Sequence, residues 1–269
     1  MVFEDALMSK LFTVMKNGNF LVVCSYSHDL IFTGNDITLR EQLKKLLMNE
    51  FEMTYMGLLH YFFGIEVKPT NEEIVISQQK YAKELLNEFR ADKATPFITP
   101  IEKLYLTTRR PDLMFSVGML CRFMKSPKRC IVLGTINHGT HYKKNQNSVL
   151  VGYGDNDWGG DTDDSKSISG YVFNIGSRAV SWISKKQTGV AHSTTQAEYI
   201  SLYAAGCQAL WLRWMLKELK RNQKKGAKLF CDNSSAIELT IRSKHIRIKH
   251  HFVRDLVKDG KVIIKFHKT

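Results

Sequence analysis

The sequence predicts an α/β protein in two patterned parts joined by a weakly patterned stretch, on three observations. Residues 1–90 read strand, strand, helix, strand, strand, helix. Residues 149–269 read as strands grouped around one long helix. The composition, 43% apolar, 24% charged and 11% aromatic with five prolines in 269 residues, is that of a chain able to bury a core. It excludes disorder, collagen and low complexity. No run approaches the roughly 18 apolar residues of a membrane span, and Met1–Asp5 lacks the basic and apolar regions of a signal peptide. Five cysteines without a CxxC pair argue against disulfides and thiolate zinc. The expectation is an intracellular protein of cytoplasm or nucleus, with no membrane partner and reduced thiols.

The elements follow in order. Phe20–Cys24 and Leu30–Phe32 are β-branched apolar runs that form a hairpin with its tip near Ser27 and His28. Thr38 with Glu41 reads as a capping box for a helix with Leu39, Leu43, Leu46 and Leu47 on one face. Leu58–Val67 and Ile74–Ile76 read as a second hairpin, and Ser77 as the cap of a helix carrying Tyr81, Leu85 and Phe89. Between Ala91 and Ser148 the pattern weakens: Pro111 opens one amphipathic helix, and 134–147 is polar. That stretch reads as a connection.

Four strands follow: Val149–Tyr153 running on to Asp155, Gly170–Ile175, Ala179–Ile183 and, after a long helix, Ala227–Cys231. Ser193 with Gln196 caps that helix, and Ile200, Ala204, Cys207, Trp211 and Met215 are its expected buried face. Helical segments fill 234–258, and Val262–Phe266 is the last strand.

Charge is uneven. Residues 1–100 hold 10 Lys+Arg against 13 Asp+Glu, whereas residues 101–269 hold 29 against 13. That excess is the footprint of a polyanion partner, with a merely solvated basic surface as the alternative. Asp155 and Asp232 sit where short strands stop, and Glu198 sits in the first turns of the long helix. If the two strands are adjacent and parallel under the helix, the three carboxylates converge at one sheet edge. Hard oxygen donors there suit Mg²⁺ or Mn²⁺, and a two-ion site would act on a phosphodiester. Solvated loop aspartates are the alternative reading.

Six blocks add a resemblance: LVGYGDNDW (150–158), SISGYVF (167–173), SWISKKQ (181–187), STTQAEYIS (193–201), FCDNSSAI (230–237) and RSKHIRIKHHFVRD (242–255). Together and in this order they resemble the ribonuclease H domain of copia-type LTR retrotransposon Pol polyproteins. The resemblance implies a ribonuclease H-like mixed five-stranded sheet with helices over 149–269 and cleavage of the RNA strand of RNA:DNA hybrids with Mg²⁺. By motif position, Asp155, Glu198 and Asp232 are its catalytic and metal-binding acids.

YSHDLIFTGND (26–36), FEMTYMGLLHYFFGIEV (51–67) and ISQQKYAKELL (76–86) are similar to the end of the reverse transcriptase palm. This implies an α+β palm remnant over 1–92 and a connection over 93–148, the latter including RPDLMFSVGMLCRFMKSP (110–127). Two departures imply loss. Where the family has Tyr-Val-Asp-Asp, this chain has Tyr26, Ser27, His28 and Asp29, so polymerisation is not expected. The family's fourth ribonuclease carboxylate has no counterpart after the last strand, which implies attenuated cleavage; a catalytically dead nucleic-acid-binding domain or a functionless relic is the alternative. Lys185, Lys186, Lys244, Arg247 and Lys249 are the candidate phosphate contacts. The histidines beside the last three fit no zinc spacing.

Overall fold

A computed structural model describes residues 10–16, 18–26, 28–88, 137–144, 149–160, 164–176, 178–242 and 251–268. The helix expected after Pro111 lies outside them. The chain divides into two compact units, Met1–Leu59 with Met215–Asn222, and His60–Trp214 with Gln223–Thr269.

The first unit is built on an antiparallel meander of β1 (Lys10–Lys16), β2 (Asn19–Tyr26) and β3 (Asp29–Gly34). The hairpin expected from the apolar runs is β2–β3, with Tyr26 opposite Asp29. β1 is a further strand, paired along its whole length with β2. The helix α1 (Ile37–Glu50) starts two residues earlier than the capping-box reading of Thr38. Asp36 is the cap: its carboxylate accepts from the Thr38 and Leu39 amides at 2.8 and 3.4 Å and from Asn19 at 2.6 Å. A carboxylate accepts more strongly than a hydroxyl and also complements the helix N-terminus, so Asp36 wins.

The second unit holds two sheets. The smaller is β4 (Tyr61–Phe62), β5 (Ile65–Pro69), β6 (Glu73–Ser77) and β7 (Gly139–Lys143), all antiparallel. The run expected as one strand over Leu58–Val67 is broken by a two-residue turn at Phe63 and Gly64, whose φ values are 47° and 75°. Two successive positive φ angles make the tight turn that matches strand twist. Helix α2 (Gln79–Glu88) begins after Gln78, because Ser77 is spent in β6. β7 comes from the polar stretch expected as connection, and Tyr142 donates from its hydroxyl to the Ala179 carbonyl at 2.7 Å.

The larger sheet contains β8 (Leu150–Asp157), β9 (Ile168–Ile175), β10 (Arg178–Lys186), β11 (Ala227–Cys231) and β12 (Val262–Phe266). Their spatial order is β10-β9-β8-β11-β12, antiparallel among the first three and parallel from β8 through β12. Helix α3 (Thr194–Glu218) carries the capping box expected from Ser193 and Gln196: the Gln196 amide donates to Ser193 Oγ at 3.1 Å, while Gln196 Oε1 accepts from the His192 amide at 2.8 Å. Helices α4 (Ser234–Arg242) and α5 (His251–Lys258) complete the domain. No helix among the described residues is long and apolar enough to cross a membrane.

The buried face of α3 differs from the expected one. It runs through Ala197, Ser201, Leu202, Ala205, Ala209, Leu212 and Leu216, whereas Trp211 and Trp214 are 39% and 55% exposed. Small residues let the helix lie close to the sheet: a Cβ on Gly154 would meet Ala205 Cβ at 3.7 Å, and one on Gly206 would meet Leu256 of α5 at 3.4 Å. Indole bulk is excluded from so close a contact and turns outward.

A carboxylate cluster at the ends of two parallel strands

β8 and β11 run side by side and parallel, with Leu229 opposite Gly152 and Phe230 opposite Tyr153. Continuing that register by two residues brings Asp232 level with Asp155. The adjacency on which convergence depended is present. Helix α3 is fastened to this point by Ser201, whose hydroxyl lies 2.8 Å from the Asp155 carbonyl and 3.1 Å from that of Gly170. Three residues earlier on α3, Glu198 is buried, at 5% exposed.

Burial is the main reason the Glu198 carboxyl is pushed up to about 7, reinforced by the charges of Asp155 and Asp232 and opposed by hydrogen bonds from Asn156. Asp155 is raised too, first by desolvation and then by Asp232 and Asp157, although the Asn156 amide donates to its Oδ1 at 2.7 Å. Glu198 and Asp155 thus lie in partly dry surroundings, each within reach of the Asp232 charge.

Sequence reasoning missed Cys231. Ligand atoms of Glu198, Cys231 and Asp232 all lie within 4.8 Å of one another, and Cys231 Sγ is 3.9 Å from Glu198 Oε2. Burial, with the surrounding carboxylates, pushes its thiol up to about 12. Strand alternation was the available signal: Cys231 follows Leu229 by two residues and points to the same buried side.

Lys185 is exposed on β10, and Lys186 is paired with Asp164 at 2.8 Å. Lys186 and Lys166 hold the Asp164 carboxyl well below its usual range. Lys244, Arg247 and Lys249 lie outside the described residues. At the β2–β3 tip, His28 and Asp29 are exposed and Tyr26 ends β2; Ser27 lies outside the described residues.

The larger sheet is thus five-stranded and mixed, with a long helix packed on it, Asp155 on β8 and Asp232 just past the end of β11. The family profile described as reverse transcriptase (RNA-dependent DNA polymerase) matches residues 2–103. The chain is 32% identical to the retrovirus-related Pol polyprotein from transposon RE2 of Arabidopsis thaliana over 94% of its own length, and 30% identical to that from transposon TNT 1-94 of Nicotiana tabacum over 92%. An uncharacterized mitochondrial protein of Arabidopsis thaliana is 31% identical over 69% of this chain and 92% of its own length. Among solved structures, the N-terminal RNase H domain of Rv2228c from Mycobacterium tuberculosis, fused to maltose binding protein, matches at a TM-score of 0.33 and 15% identity, over 45% of this chain and 83% of that one. The chain belongs to the family of copia-type retrotransposon Pol polyproteins. It spans 20% and 22% of the length of the two polyproteins named.

Proposed function

We propose that residues 149–269 are a metal-dependent ribonuclease H-type endonuclease that cleaves the RNA strand of RNA:DNA hybrids, weakly. In the same reading, residues 1–92 are a palm remnant without polymerase activity, and 93–148 are a connection. What supports this is that the charges of Asp155 and Asp232 both raise the Glu198 carboxyl, and that of Asp232 raises Asp155, where β8 and β11 run parallel.

The donor set fits a hard divalent cation. Three carboxylates and the buried Asn156 Oδ1, which has no hydrogen-bond partner among the described residues, offer the oxygen ligands that Mg²⁺ or Mn²⁺ takes. Cys231, a soft donor, is not part of that set. A bound ion would polarise the phosphodiester and make a water more acidic. The chain's own residues do the rest. Asn156 hydrogen-bonds the Glu198 carboxylate and fixes its direction, and Ser201 holds the β8 and β9 backbones in register beneath it. The basic excess of residues 101–269 attracts the hybrid, with Lys185 as an exposed phosphate contact.

The test is cleavage of a labelled hybrid in Mg²⁺ and in Mn²⁺, beside Asp155→Asn. Activity lost with Asp155→Asn supports the reading; activity unchanged by it refutes the site. A second reading, nucleic-acid binding without turnover, is favoured by the Cys231 thiol lying against Glu198. Hybrid binding with no cleavage in either ion would select it.

A further inference from the structure

Paired residues of neighbouring strands share a sheet face, and alternate residues take opposite faces. Helix α3 lies against the face that carries Gly154. Tyr153, its neighbour on β8, is therefore on the opposite face, 40% exposed. It stacks on Phe230 of β11 with ring centroids 5.2 Å apart and planes 20° apart. His267, just beyond β12, packs at 5.6 Å from Phe230 and 6.3 Å from Tyr153. The register places Lys265 beside Phe230, and Lys228 beside both Val151 and Ile263, on this same face. Neither lysine has an ion pair among the described residues.

From these contacts the geometry points to a binding platform for single-stranded nucleic acid: unpaired bases stack on Tyr153 and on the ring cluster behind it, while Lys228 and Lys265 meet the phosphates. Every base has a π face, so an exposed aromatic surface on a sheet accepts single strands without regard to sequence, whereas a paired duplex hides those faces. The chemistry favours this occupant over an apolar protein segment. Cations interrupt the aromatic surface, and residues 201–269 hold 16 basic against 5 acidic side chains. An apolar partner would have to desolvate both lysines. Asp155 and Asp232 follow Tyr153 and Phe230 by two residues on their own strands, so a strand leaving the platform passes the carboxylate cluster. The inference does not rest on cleavage there.

The experiment uses the full chain in EDTA, where no cleavage competes, so inactivity of the carboxylate site leaves the result unaffected. Fluorescence anisotropy is read with a labelled 12-nucleotide oligo-U strand and with a blunt hybrid of equal length. Tyr153→Leu keeps the apolar bulk and removes the stacking ring. The expected result is a fall in single-strand affinity of about 5- to 100-fold with hybrid affinity changed far less, and recovery in Tyr153→Phe. Lys265→Gln, an exposed change that leaves the core intact, should flatten the salt dependence by about 0.7 in log–log slope, as one lost phosphate contact requires. The inference is overturned if Tyr153→Leu and Lys265→Gln each bind single strands within twofold of the parent chain with an unchanged salt slope. It is equally overturned if Tyr153→Leu instead abolishes self-association or capture of an acidic protein, which would make the face a protein contact.

Discussion

Glu198→Gln offers a direct measure of what the carboxylate cluster does to stability. The folded protein holds Glu198 at about 7 against an ordinary value of 4.5. Between those values the folded state binds the proton and the unfolded state has released it. Stability therefore falls as pH rises through this window, and it is fully present only below 4.5. At about 1.4 kcal/mol per pH unit the difference is roughly 3 kcal/mol, and partial solvent screening lowers it to about 2. Glutamine keeps the shape and the amide contact with Asn156 but cannot ionise. In urea unfolding with EDTA present, the parent chain should lose about 2 kcal/mol more than Glu198→Gln between pH 4.5 and 7.5. Histidines that titrate in the same range cancel in the difference. Saturating Mn²⁺ should restore the parent at pH 7.5 by about 2.7 kcal/mol at a hundredfold excess over Kd, and the glutamine variant by less. Parallel pH profiles for the two proteins would refute the claim that Glu198 is buried among like charges.

Gly152→Ala would drive its Cβ into the Phe173 ring, so a loss of about 1–3 kcal/mol is expected, visible as a lower Tm and relieved by adding Phe173→Leu. Ser201→Ala leaves the Asp155 and Gly170 carbonyls without their shared donor. It should cost about 1 kcal/mol in urea unfolding and reduce hybrid cleavage without altering hybrid affinity. Asp36→Ala removes the cap of α1 and the Asn19 bond; hydrogen exchange at Thr38 and Leu39 should quicken in step with a loss of about 1 kcal/mol.

Much of the larger sheet is legible in the sequence because its central strands are bounded by glycine, aspartate and charged loops while their interiors are apolar. β11 and β12 have the expected limits, and the capping box at Ser193 marks the start of α3. What was hidden has physical causes. β7 reads GTHYK, an edge strand whose pairing with β6 is specified by its partner rather than by any apolar run of its own. β1 lies next to a strong hairpin and adds no turn signal beyond Gly18. The face of α3 was misread because tryptophan suggests burial by its bulk, whereas close docking selects Ala205 and Ala209. The carboxylates could be found by motif; the thiol beside them could be found only by carrying the strand alternation from Leu229 to Cys231.

The pairing of β8 with β11 joins Val151 to Lys228 across 77 positions of chain, and two further strands and the whole of α3 lie between them. Closing so long a loop is entropically late, so the hairpins β8–β9–β10 can form well before β11 arrives. During synthesis Asp155 and Glu198 leave the ribosome long before Asp232. The first two acids thus meet in an incomplete sheet, and a chain broken off within α3 carries two thirds of the cluster and none of its parallel pairing. Assembly of the acidic cluster therefore reports completion of the sheet.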